Sequence, residues 1–146
     1  MEYASRSEEE TQKIAADLAA SLIEKGQGDP IIIALEGELG AGKTVFAKGF
    51  SRALGVEEEI KSPTFVLMKT YQIVHHDPYR FLFHLDCYRL RDEEDLVSLG
   101  IEEIMNQKGN VILIEWSDRV KKVLPSKKMT VHIDHVTEQN RNIHIS

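Results

Sequence analysis

Apolar residues at a helical spacing define the first element of the chain. Ile14, Leu18 and Leu22 recur every four residues, and Ser7 stands ahead of them as a candidate capping residue. This pattern predicts an amphipathic helix over residues 8–25.

The pattern then changes to that of a strand and back to that of a helix. Residues 30–35 are apolar and include three consecutive isoleucines, which is typical of a strand buried on both faces. A glycine-rich turn follows, and after it Phe46, Phe50 and Leu54 form a second helical stripe that stops at Gly55. The sequence therefore predicts a strand, a glycine-rich turn and a helix in succession.

The rest of the chain is richer in strands and decides the fold class. Its predicted elements are hairpins over residues 65–74 with 80–88 and 129–136 with 141–145, a helical segment over 92–106 that is interrupted at Gly100, a helix over 117–124 and a buried strand over 111–114. A strand, turn and helix at the front with hairpins behind predicts an α/β fold, in which helices cover both faces of a mixed sheet.

Length and charge narrow the possible partners. A chain of 146 residues predicts one domain over residues 1–146. Eighteen Lys and Arg residues against 24 Asp and Glu residues give a net charge of −6, and a field of that sign repels phosphate backbones. Direct nucleic-acid binding would therefore need a local basic patch, or a partner that supplies one.

Signals for secretion and membrane insertion are missing from this sequence. The single cysteine, Cys87, cannot form an internal disulfide, and the first ten residues lack the basic start and apolar stretch of a signal peptide. The longest apolar run is far below the ~20 residues that span a bilayer. We expect a cytoplasmic protein that does not bind membranes.

One motif indicates the chemistry. The segment Gly37, Glu38, Leu39, Gly40, Ala41, Gly42, Lys43 and Thr44 fits the pattern G-x-x-x-x-G-K-[ST], and it lies between the predicted strand and helix as the mechanism requires. The glycines let backbone N–H groups surround phosphates, Lys43 reaches the β- and γ-phosphates, and the Thr44 hydroxyl ligates magnesium. We therefore predict a P-loop NTPase-like sheet that binds an NTP. The sequence contains no Asn-Lys-x-Asp or Asp-x-x-Gly segment, which argues against a Ras-like GTPase.

A P-loop enzyme also needs an acid at the end of a second buried strand to complete the metal shell. Glu115 follows residues 111–114, and Asp86 follows residues 81–85. Both lie at predicted carboxyl ends of strands, the edge where α/β sheets bind ligands. The residues alone do not rank the two acids.

Several segments in order resemble the bacterial TsaE family, also called YjeE. They are the P-loop over residues 37–44, Lys-Ser-Pro-Thr-Phe at 61–65, His-Leu-Asp-Cys-Tyr-Arg-Leu at 84–90, Leu-Gly-Ile-Glu-Glu at 99–103 and Glu-Trp at 115–116. The resemblance extends from about residue 11 to residue 118. It implies the small ATPase required for threonylcarbamoyladenosine modification of tRNA, acting with the TsaB and TsaD proteins and meeting tRNA only indirectly.

The resemblance also implies roles for individual residues. Lys43 and Thr44 match the family's phosphate and magnesium residues, and Glu115 matches its metal-site acid. Asp86 matches a residue required for activity, which we interpret as placing or polarising the attacking water. Lys43 and Asp86 are therefore the candidate catalytic residues, and Thr44 and Glu115 are the candidate magnesium ligands.

Further positions are expected to contact the nucleotide. Ser62, Pro63 and Thr64 match a switch-like loop near the γ-phosphate, and Trp116 matches a tryptophan beside the nucleotide, although a purely packed Trp116 is an open alternative. Val45 belongs to the same set, but it stands where a second hydroxyl residue is common in the family, which puts a polar role there in doubt.

The motif His-x-Asp-x-Tyr-Arg occurs twice, at residues 75–80 and 84–89. The first copy contains Pro78 and lies in a predicted turn, whereas the second ends a predicted buried strand. We therefore predict that the second copy, with Asp86, is the functional one.

The sequence leads to one function and two alternatives. The favoured function is a magnesium-dependent, ATP-binding and ATP-hydrolysing subunit for tRNA modification. One alternative is a small-molecule kinase on a P-loop fold, although no arginine-rich lid is evident in the sequence. The other is a non-catalytic subunit that binds ATP only to change the shape of its partner.

Overall fold

The computed structural model describes residues 1–38, 40–60, 67–90, 92–117 and 120–146. In chain order its elements are β1 (Glu2–Ser5), α1 (Glu8–Gly26), β2 (Ile31–Glu36), α2 (Lys43–Leu54), β3 (Met68–Gln72), β4 (Phe81–Asp86), α3 (Glu94–Val97), α4 (Ile101–Asn106), β5 (Asn110–Glu115), β6 (Met129–His135) and β7 (Arg141–Ile145).

The strands of the described ranges form one sheet in the order β1-β7-β6-β2-β5-β4-β3. The central strands β6, β2, β5 and β4 run parallel, while β7, β1 and β3 pair with their neighbours in antiparallel fashion. The predicted fold class, a mixed α/β sheet flanked by helices with antiparallel hairpins, is confirmed.

The sheet has a hydrophobic core on each face because its central strands are buried on both sides. Successive residues of β2 point to opposite faces of the sheet. Ile33 and Leu35 pack in the first core, under α1 and α2, and Ile32 packs in the second core, under α3 and α4. Phe46 and Phe50 of α2 fill the first core and are completely buried. This layering fixes α2, and the P-loop at its start, against the sheet.

Most predicted elements appear where the pattern placed them, with two differences. The helix predicted over residues 117–124 is not found over residues 120–124, which form turns and bends. The sequence analysis also missed β1, a four-residue edge strand that is hydrogen-bonded to β7. A strand this short carries too few residues for its alternation to stand out.

The two helices of the first core approach each other through small residues. Thr11, Ala15 and Ala19 are the buried positions of α1, whereas the predicted apolar stripe of Ile14, Leu18 and Leu22 is only partly buried and flanks them. The most buried face of α1 therefore lies one residue further along the chain than the predicted apolar stripe. Small side chains occupy this face because they let the backbones of α1 and α2 come close.

No helix in the described ranges is long and apolar enough to cross a lipid bilayer.

The close approach of α1 and α2 predicts a cost for enlarging Gly49. A Cβ added at Gly49 lies 2.6 Å from both Cα and O of Gln12, so Gly49→Ala must push the helices apart. We expect a net destabilisation of ~1 kcal/mol, because overpacking costs about 1–3 kcal/mol and the gain in helix propensity returns only ~1 kcal/mol of it. Chemical denaturation measures it, with Lys48→Ala on the same helix as the control. Unchanged or increased stability of Gly49→Ala would contradict this packing.

Candidate nucleotide-binding site

The carboxyl ends of the parallel strands bring the predicted acids together. In the sheet register Leu35 of β2 pairs with Glu115 of β5, and Glu115 pairs with Asp86 of β4. Both acids share the sheet face of Leu82 and Leu113, which is the face that α2 covers. The acids therefore lie beside the strand end from which the P-loop departs.

The P-loop has the backbone that its glycines were expected to permit. Gly37 and Gly42 have φ angles of 149° and 105°, in a region that side-chain-bearing residues rarely adopt. A Cβ at Gly37 would lie 2.6 Å from the carbonyl oxygen of Ile133. Gly42 then caps the start of α2, whose first N–H groups have no partner within the helix. The loop therefore forms a backbone cradle that ends at the amino terminus of a helix.

Lys43 is the first residue of α2, and its ammonium group turns back over the loop. Its Nζ donates a hydrogen bond to the carbonyl oxygen of Gly37 at 2.6 Å and lies 3.3 Å from the centre of the Trp116 ring. The residue is only 6% exposed. A cation so well desolvated interacts strongly with an anion that reaches it.

Trp116 follows β5 directly and forms one wall of this environment. Its backbone has φ +60°, unusual for a residue with a side chain, and its N–H donates to the carbonyl oxygen of Leu35. The half-buried ring packs against the second core and lies 4.9 Å from the ring of Tyr88. Trp116 therefore packs against the second core and presents a ring face to Lys43, while its contact with a nucleotide stays a prediction.

Glu115 is buried and bound to a histidine that the sequence analysis gave no role. Its Oε2 lies 2.6 Å from Nε2 of His84, and the two side chains are 6% and 1% exposed. Asp86 is half-buried, and its Oδ1 accepts a hydrogen bond from the backbone N–H of Tyr88 at 3.0 Å. The two neighbouring acids thus differ: one is anchored inside the fold, and the other lies at its surface.

A cavity adjoins the P-loop on the side of the α1 amino terminus. It has a volume of about 290 Å³, and its lining includes Thr11, Gly42, Val45, Gln139 and Arg141. Val45 contributes to this wall, while Thr44 is exposed on the first turn of α2. The cavity gives the P-loop a neighbouring recess of the size of a small organic group.

Arg141 joins the carboxyl-terminal hairpin to the P-loop. Its Nη2 donates to the carbonyl oxygen of Gly40 at 3.4 Å, and its Nη1 donates to the carbonyl oxygen of Thr137 at 2.7 Å. Sequence reasoning missed Arg141 because no local motif surrounds it. The only sequence feature that concerned Arg141 was its position at the start of a strand in the predicted hairpin of residues 129–136 and 141–145.

A second polar group lies on the opposite sheet face at the same edge. Glu36, the last residue of β2, faces Nδ1 of His132 at 3.5 Å, and Nε2 of His132 lies 2.9 Å from Oδ1 of Asp134. Partial burial acts to lower the pKa of His132, but the hydrogen bonds to Asp134 and Glu36 outweigh it, and the pKa is raised. The imidazole of His132 therefore lies between two carboxylates, and one of them, Glu36, directly precedes the P-loop.

The first copy of the repeated motif lies at the other edge of the sheet. The hydroxyl of Tyr79 donates to the carbonyl oxygen of Asp29, just before β2 begins, and burial raises the pKa of this phenol. The backbone N–H of Arg80 donates to Gly109, just before β5 begins. The first copy is thus separated by the length of the strands from the P-loop, as its turn-like sequence predicted.

Some predicted contacts lie outside the described residues. Leu39 of the P-loop is one of them, and so are Ser62, Pro63 and Thr64 of the switch-like loop. The other predicted site residues come together at the carboxyl ends of the parallel strands. They are the described P-loop positions, Lys43, Trp116, Asp86 and Glu115.

The chemistry of the site fits a phosphate chain with magnesium. The cradle offers backbone N–H groups, and Lys43 adds a cation that is almost completely buried. The hydroxyl of Thr44 and the carboxylate of Glu115 are hard oxygen donors, the type that magnesium prefers. The described residues of the site therefore offer donors of the kinds that phosphate and magnesium require, and the binding of either stays a prediction.

Comparison with known proteins identifies similar chains. The model of the family described as "Threonylcarbamoyl adenosine biosynthesis protein TsaE" matches residues 5–143, a longer span than the sequence motifs covered. The TsaE proteins of Bacillus subtilis and Treponema pallidum are 37% and 36% identical to the chain, over 92% and 100% of it and over 78% and 100% of their own lengths. The crystal structure of Bacillus subtilis YdiB superimposes with a TM-score of 0.74 at 31% identity, covering 98% of this chain and 82% of YdiB.

Proposed function

The chain belongs to the TsaE family, and from this premise we propose that it acts in tRNA threonylcarbamoyladenosine biosynthesis as an ATPase subunit. In this proposal it binds ATP and magnesium at the P-loop within one domain and hydrolyses ATP in the cytoplasm. The observation that carries the proposal is the buried Nζ of Lys43, which lies over the backbone cradle and 3.3 Å from the Trp116 ring.

Binding is assigned to the loop and its cation. The N–H groups of the P-loop and of the α2 start bind the phosphate oxygens, and Lys43 gives up its contact with the Gly37 carbonyl to reach the β- and γ-phosphates. Thr44 and Glu115 are the residues that would hold magnesium. Magnesium, when bound, supplies positive charge that neutralises the phosphate oxygens. The cavity beside Thr11 and Arg141 is assigned to the nucleoside, because it opens at Gly42 of the loop.

Asp86 is assigned to the attacking water. It is half-buried, it lies one strand from Glu115, and its Oδ1 is oriented by the backbone N–H of Tyr88. A carboxylate held in this way orients a water and accepts its proton as the water oxygen bonds to the γ-phosphorus and the bond to the bridging oxygen of the leaving ADP breaks. It therefore acts on turnover rather than on nucleotide binding.

The partners are proposed from the net charge of the chain and from the way in which partners stimulate related NTPases. The net charge of −6 disfavours direct binding of tRNA, so we propose that RNA is reached through TsaB and TsaD. Related NTPases gain ~10³–10⁵ in rate from an arginine finger that a partner often supplies. Slow hydrolysis by the isolated chain and stimulation by the TsaB–TsaD pair are the expected behaviour.

We predict that Lys43→Ala sharply weakens ATP binding, because it removes the cation that faces the phosphates. Isothermal titration calorimetry measures the change. The control is Lys48→Ala, which removes a lysine from the same helix beyond the P-loop motif. Equal ATP affinity of Lys43→Ala and the unchanged protein would rule out the P-loop assignment.

We predict that Asp86→Asn keeps ATP affinity but loses turnover by ~10²–10⁴, the usual contribution of a general base. Phosphate release is measured with and without the TsaB–TsaD pair at fixed magnesium and salt, and Asp95→Asn on the exposed side of α3 is the control. Stimulation of the variant equal to that of the unchanged protein would show that Asp86 has no part in hydrolysis. Fast turnover of the isolated chain that the pair leaves unchanged would contradict the partner assignment.

A further inference from the structure

His84 is a buried polar residue to which the proposed mechanism gives no part. It lies inside β4 between Phe83 and Leu85, and it is 1% exposed. Strand positions of this kind are usually apolar, since a polar side chain loses its hydration there. Its presence needs a specific partner.

That partner is Glu115, on the neighbouring parallel strand. Nε2 of His84 lies 2.6 Å from Oε2 of Glu115, the length of a strong charge-assisted hydrogen bond. Both residues lie two positions from fully buried leucines, His84 after Leu82 and Glu115 after Leu113. The contact therefore joins β4 to β5 inside the protein, just below the strand ends that bear the site.

The direction of this hydrogen bond follows from its partners. A carboxylate that ligates magnesium is ionised and only accepts hydrogen bonds, so in this role of Glu115 the donor is the Nε2–H of His84. Nδ1 of His84 has no hydrogen-bond partner in the described part of the chain. His84 therefore contributes one donor, and that donor is directed entirely at Glu115.

We propose that His84 is a positioning residue that holds Glu115 in place for magnesium; this inference rests on the magnesium role of Glu115 in the proposed function. The hydrogen bond fixes Oε2 and so limits rotation of the carboxylate, while Oε1 is left for the metal. Carboxylates that ligate metals are commonly oriented by hydrogen bonds of this type. Stability alone does not account for the pair, since apolar residues of similar volume often replace a buried polar pair without loss.

Two isosteric amides separate positioning from packing. In His84→Gln the amide nitrogen can take the place of Nε2, whereas in His84→Asn it reaches only the level of Nδ1 and loses Glu115. The readout is a ratio of two ADP affinities, the affinity in the presence of magnesium divided by the affinity in excess chelator. Both affinities are measured by calorimetry at a temperature well below the unfolding temperature of each variant. We expect His84→Asn to lower this ratio about 10- to 100-fold, and His84→Gln to restore most of it.

A double-mutant cycle completes the test. Glu115→Ala should lose the magnesium-dependent gain, and adding His84→Asn to it should change the ratio no further, because the residue being positioned is already gone. If His84→Asn keeps the full ratio while Glu115→Ala loses it, the inference is overturned and the proposed magnesium role of Glu115 stands. If Glu115→Ala keeps the full ratio, both are wrong. Equal loss of affinity in His84→Asn with and without magnesium would show a purely structural role and would also overturn the inference.

Discussion

The register of β2, β5 and β4 is the constraint on which the candidate site depends. It sets Leu35, Glu115 and Asp86 side by side in one row, so that the P-loop and both acids leave the sheet at the same edge. A shift of one residue in any of these strands would turn its side chains to the opposite face. The two hydrophobic cores oppose such a shift, because every residue of β5 is buried. Packing of the sheet thus determines the geometry of the site.

Lys43 links this geometry to the nucleotide binding that we propose. Its Nζ donates a hydrogen bond to the Gly37 carbonyl and makes a cation–π contact with the Trp116 ring. These two contacts compensate the buried ammonium group for its lost hydration. Phosphates that enter the cradle compete for the same ammonium group. A movement of the Lys43 ammonium group therefore changes the surroundings of the Trp116 ring directly.

The sequence predicted those parts of the structure that depend on neighbouring residues. The stripe of Phe46 and Phe50 and the glycine motif are local patterns, and both correspond to the observed α2 and P-loop. The contact of Arg141 with Gly40 joins residues 101 positions apart, and no local pattern predicts it. The pairing of His84 with Glu115 needs the strand order as well, because only adjacent β4 and β5 bring these side chains together. Tertiary contacts of this kind follow from the fold rather than from any motif.

The most direct test of the central claim is the fluorescence of Trp116 during titration with ATP and magnesium. The chain has one tryptophan, so its emission reports on the ring beside Lys43 alone. If the P-loop binds ATP through Lys43, the emission of the unchanged protein shifts saturably with ATP, and that of Lys43→Ala does not respond over the same range. An emission spectrum that saturating ATP leaves unchanged, or an equal response from Lys43→Ala, would contradict the account.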